Sequence, residues 1–191
     1  MRAGVFGAVA LLTACAGGPP PSDWQLNARG ALAQYQRSYF AGDTQLAEKE
    51  FTQARAEIAR TGRADLLARA ELVRCAVRAA SLEFDECPGF EALRVDAAAE
   101  EIAYADYLAG RATRAASDEP LSRLVAAGVR LRTTTITPQD IAAAIDVASS
   151  QGWRRPLLAW LAMQAKRAEE GGDQAALSRI RRRIDLITTG K

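Results

Sequence analysis

The chain has 191 residues, with 25 basic and 23 acidic side chains and no histidine. That length suits about one domain and is enough to bury a sizeable core, since a domain near 150 residues hides roughly 70% of its unfolded surface. The balanced charge provides no field for nucleic acid, and the absent histidine excludes Ser-His-Asp and Cys-His machinery, His-ligated haem and the usual His-containing zinc sites.

The first segment, Met1 to Cys15, places one basic residue, Arg2, ahead of an apolar run. The run is far short of the ~20 residues that a spanning helix needs, and it fits the core of an export signal. Its end, Leu12-Thr13-Ala14-Cys15, resembles the bacterial lipobox. That resemblance implies cleavage before Cys15 and acylation of its thiol. The signal would then occupy residues 1–14. Residues 15–21 would form a lipidated tether, because Ala16-Gly17-Gly18-Pro19-Pro20-Pro21 cannot pack as a regular element. Several acyl chains on one residue give near-permanent anchoring at ~0.8 kcal/mol per buried CH₂. Position 16 is alanine rather than aspartate, which in Gram-negative lipoproteins implies sorting to the outer membrane, periplasmic face. Loss of Arg2 with the signal leaves 24 basic against 23 acidic side chains.

From residue 22 to residue 191 the composition is rich in alanine, leucine and arginine, which favours helix. The expectation is a single all-helical domain. Ser22 through Gln25 fits a capping box, and Trp24, Ala28, Leu32, Tyr35 and Tyr39 then share one face of a helix from about Asp23 to Ala41. Gly42 ends it and Asp43 caps the next, whose stripe is Ala47, Phe51, Ala54 and Ile58. The third helix, about Ala64 to Leu82, is apolar on two faces and should lie between neighbours.

With Cys15 assigned to lipid, Cys75 and Cys87 remain. An even remainder in an exported chain suggests one disulfide. If the third helix ends near Leu82, Cys75 is about 10 Å back along its axis, and the five residues to Cys87 can reach ~17 Å. No CxxC pair accompanies them, so neither a redox centre nor a metal site is expected.

Further helical stretches follow at Ala97–Leu108 and Pro120–Leu131, the latter with Gly128 on its apolar face. The Thr133–Ile136 run reads as a short extended linker. Thr137 and Pro138 open another helix as N-cap and first residue, closed by Gly152, and Pro156 starts the next. Gly171-Gly172-Asp173 is a turn, and Ala176, Leu177, Ile180, Ile184 and Ile187 form the last stripe. The count is about eight helices in four pairs, arranged as antiparallel hairpins.

Gly42-Asp43-x3-Ala47-x3-Phe51-x2-Ala54 resembles the middle of a tetratricopeptide repeat, and Gly171-x4-Ala176-x3-Ile180 is a looser echo. Tyr35 stands where that family has a small residue, and no strict 34-residue period links the copies. The resemblance implies protein or peptide binding on a concave groove of stacked hairpins. A compact helical bundle is the other architecture the pattern allows.

Candidate chemistry is thin. Acidic pairs occur at Asp85/Glu86, Glu100/Glu101, Asp118/Glu119 and Glu169/Glu170, but adjacent residues on a helix point apart and make a poor catalytic dyad. The Glu-Ser dipeptide that serves helical lytic transglycosylases is missing. Arg179, Arg182 and Arg183 share one side of the last helix, where they fit a solvated face or contact with an anionic partner. Among the aromatics, Trp153 just after Gly152 is the one expected to be exposed. No cofactor or metal is expected. The expectation is a non-enzymatic, lipid-tethered envelope scaffold or assembly factor with a protein partner. A peptidoglycan-acting enzyme with a lone carboxylate, or a binder of lipid or a small hydrophobic ligand, are the alternatives.

Overall fold

Helices account for every regular element in the computed structural model, which describes residues 20–190. In chain order they are α1 (Asp23–Ala41), α2 (Thr44–Ala59), α3 (Ala64–Ala80), α4 (Pro88–Glu91), α5 (Ala99–Leu108), α6 (Pro120–Arg132), α7 (Pro138–Ser150), α8 (Arg154–Glu170) and α9 (Gln174–Thr189). A single 3-10 turn, Arg94–Asp96, precedes α5. Among the described residues there is no strand, and no helix is long and apolar enough to cross a membrane.

The helix boundaries follow from local chemistry. The Ser22 amide donates to Gln25 Oε1 (3.2 Å) at the start of α1, and Gly42 ends that helix at φ 99°. Asp43 then accepts from the Leu46 amide at 3.0 Å, and Asp173 accepts from the Ala176 amide at 2.8 Å. The same cap thus opens the second helix of the first and last hairpins. Thr137 and Asp140 cap α7 reciprocally: the Asp140 amide donates to Thr137 Oγ1 (3.1 Å) and the Thr137 amide to Asp140 Oδ2 (3.0 Å).

Three local expectations are corrected. Pro156 does not begin α8 but is its third residue, where the first turn needs no donor from it. The threonine run is a turn rather than an extended linker, with Thr133 capping α6 and Thr134 at φ 58°. One-turn helix α4 is an addition, started by Pro88 after Cys87 adopts φ 48°.

Packing places α3 at the centre, against α1, α2, α4, α5 and α6, as its two apolar faces require. From α6 the chain passes through α7 to α8, and α8 returns to pack on α1. Trp160 of α8, fully buried, donates from Nε1 to the Ala80 carbonyl at the end of α3 (3.1 Å). The hairpins therefore close into a bundle rather than extending as an open stack. One hydrophobic cluster runs through all nine helices, with Tyr35, Phe51, Leu72, Phe90, Leu124, Ile141 and Trp160 at its centre. Each large apolar side chain buried there contributes roughly 1.5–3 kcal/mol.

Candidate functional site

Cys15 lies outside the described residues. The folded body begins at Ser22, seven residues later, and such a span reaches at most about 24 Å.

Cys75 and Cys87 lie at disulfide distance, with Cα atoms 5.8 Å apart. Cys75 is on α3 and Cys87 directly precedes α4, so the link fastens the turn after α3 to the central helix. Asp85 stands beside them, accepting from the Cys87 amide (2.9 Å) and facing Arg78 at 3.5 Å. Among the described residues, Cys75, Asp85 and Cys87 are the group of metal-ligand atoms close enough to share an ion. A disulfide between the two sulfurs would leave no thiolate to bind one.

The basic cluster of α9 is divided by its neighbours. Arg181 pairs with Glu169 (3.3 Å) and Arg183 donates to Ser149 Oγ (3.2 Å). Arg179 and Arg183 flank a small recess over Ile180 and Leu161, and Arg182 faces solvent.

The aromatics are mostly core. Tyr35, Tyr39, Tyr107 and Trp160 are buried. Trp153 is not the exposed one, since its ring lies 4.6 Å from that of Phe40 and is partly covered. Among the described residues, Phe84 is instead the exposed aromatic.

The acidic pair on α5 splits. Glu100 is exposed, whereas Glu101 is buried, with 9% of its side chain accessible. Arg69 of α3 donates from Nε to Glu101 Oε1 (2.8 Å), while Oε2 has no hydrogen-bond partner among the described residues. Glu101 shares the helical face of Ala105 and Leu108, and that i, i+4, i+7 register was the sequence signal for its burial.

Arg69 also joins two recesses into a groove along α3. On one side Trp24 and Leu32 of α1, Ile58 of α2 and Leu66 of α3 enclose a recess of about 230 Å³. On the other, Leu72, Ala76, Glu101, Tyr104 and Leu121 enclose one of about 480 Å³. Arg69 and Val73 line both. Burial pushes the Tyr104 hydroxyl up to about 12. The groove thus joins two recesses at Arg69 and Val73, the larger lined also by Glu100 and Arg114, with one buried carboxylate oxygen of Glu101 still unmatched. No protein-family model, curated protein or solved structure matches this chain.

Proposed function

We propose that this protein is a lipid-anchored envelope protein, held through Cys15 to the periplasmic face of the outer membrane. Its helical body serves as a non-enzymatic interaction scaffold or assembly factor. The observation that carries the reading is the apolar run ending in Leu12-Thr13-Ala14-Cys15, followed at once by a Gly/Pro tether and then by a capped helix. The groove across α3 supports a binding role, because two recesses joined at Arg69 and Val73 suit a partner segment with two apolar side chains. The tetratricopeptide-like turns support hairpin packing, but the closed bundle moves the candidate contact surface from a concave inner face to this outer groove.

Replacing Cys15 with alanine and fractionating cells tests the anchor. The protein should leave the membrane fraction and change its gel mobility, and unchanged retention together with unchanged mobility would defeat the acylation claim. A photo-crosslinking residue at Val73 tests the docking role. It should capture one defined envelope protein, whereas the same residue at Val95, 93% exposed and outside the groove, should not. Equal capture at both positions, or none at Val73, argues against the groove.

Glu101 gives the enzymatic alternative its one foothold, as a buried carboxylate in a cleft. Its ion pair with Arg69 commits it to a structural partner, and incubation with cell-wall sacculi decides. Released muropeptides that disappear in Glu101→Gln would favour the enzyme.

A further inference from the structure

The connection from α5 to α6, residues 109–119, arches over the flank of α6 and roofs a cleft of about 780 Å³. That volume suits a drug-sized molecule. Tyr107, Ala126 and Val129 supply apolar wall, and Arg111, Arg114 and Arg130 supply charge. No aspartate or glutamate lines the cleft.

The three guanidinium groups are unequally engaged. Arg111 is paired with Asp106 (2.9 Å) and Arg130 with Asp140 (3.0 Å), both carboxylates lying outside the lining. Arg130 Nε is buried and has no hydrogen-bond partner among the described residues. Arg114 meets no carboxylate among the described residues, and its guanidinium rests 5.3 Å from the centre of the Tyr104 ring. Arg114, Arg130 and the buried Tyr107 line the same cleft, and both cations pull down the proton affinity of the Tyr107 hydroxyl, which burial raises. Gly110, at φ 76°, carries the chain into the roof so close to Thr133 that a Cβ would lie 2.7 Å from the Thr133 methyl. The connection therefore lies close against Thr133 at its second residue, Gly110.

An apolar wall beside excess guanidinium charge is complementary to an amphiphilic anion. Arginine binds oxyanions through paired N–H donors, and partial removal from water strengthens each contact. We propose that this cleft binds a small molecule bearing a phosphate or carboxylate group on an apolar or aromatic body. Arg114 contributes the uncompensated charge and Tyr107 and Val129 the apolar contact. The proposal is independent of the lipid anchor, and it adjoins the groove across α3, because Arg114 also lines the larger recess of that groove.

Calorimetric titration of the full-length protein, purified in detergent, with phenyl phosphate, benzoate and neutral benzyl alcohol tests it. At least one of the two anions should bind saturably at one site, and benzyl alcohol at least about tenfold more weakly. The better anion identifies the preferred headgroup. Competition by a short-chain, micelle-free phosphatidylglycerol would mark a lipid as its source, and failure to compete would mark a free metabolite. Arg114 is exposed and makes no ion pair among the described residues, so Arg114→Glu should fold normally by circular dichroism while weakening the anion by about tenfold or more. Arg130→Gln should also weaken it, and if that variant misfolds, Arg114→Glu decides alone. Absence of saturable binding by either anion, equal binding of benzyl alcohol, or an unchanged affinity in Arg114→Glu would each overturn the proposal.

Discussion

Arg69 and Glu101 form a pair of unequal exposure, with 64% of the arginine side chain accessible against 9% of the glutamate. The arginine gives up little hydration, while the carboxylate depends on it for its main compensation. Arg69→Ala should therefore cost about 1–3 kcal/mol in urea denaturation, the penalty of leaving a buried charge unmatched. Adding Glu101→Leu should recover most of that loss, because the side chain faces the Ala105–Leu108 stripe. A double variant no more stable than Arg69→Ala would show that the pair does more than satisfy itself. Glu71 repeats the pattern beneath α4. It is buried and paired with Arg55, and its carboxylate lies against Gly89, where any Cβ would collide with it.

At the level of elements, the α3–α6 crossing rests on one missing side chain. A Cβ on Gly128 would lie 2.6 Å from the Ala79 carbonyl oxygen, a backbone atom that cannot swing away. Gly128→Ala should destabilise by roughly 1–3 kcal/mol through overpacking, despite the ~1 kcal/mol gain in helix propensity. A variant as stable as the wild type in thermal melting would contradict that packing. The Cys75–Cys87 link closes a loop with sequence separation 12. Its loss in Cys75→Ser/Cys87→Ser should cost about 3 kcal/mol, or a melting temperature lower by roughly 6–12 °C. Much at this scale was legible in the sequence, because caps and glycine stops are local chemistry: Asp43, Gly42, Thr137 and Asp173 each do what their residue types favour. The additions and shifts, α4 and the start of α8, arise where tertiary packing decides between nearby turns. The groove and the roofed cleft were illegible for the same reason. Arg69 and Glu101 are 32 residues apart, and no periodicity links them until α3 and α5 are packed together. The basic run of α9 was visible as a run, but not that Glu169 and Ser149 would each engage part of it.

For the molecule as a whole, the closed packing of α8 on α1 and a main core that draws on all nine helices make unfolding a shared event, and the surface charges set its pH range. Arg63 beside Asp65 holds that carboxyl at about 2. Hydrogen bonds from Arg94 lower Glu91, those from Arg111 and Arg94 lower Asp106, and the Thr137 amide lowers Asp140. The unfolded chain takes up these protons near pH 4, so the stability they contribute is full above that value and is lost as pH falls toward the folded values. At the other end, burial raises Tyr35, Tyr39 and Tyr104. Their contribution is full below the unfolded value near 10 and is lost as pH rises through the folded values. The melting temperature should therefore be flat between these limits and fall on both sides, and a chain as stable at pH 3 as at pH 7 would contradict the carboxylate assignments. The proposed anchor at Cys15 would set where this body works, and the intact mass of the protein purified from bacterial membranes tests it most directly. The predicted product begins at Cys15 and carries the added mass of fatty acyl chains. A product that keeps Met1 and carries no lipid would contradict the account.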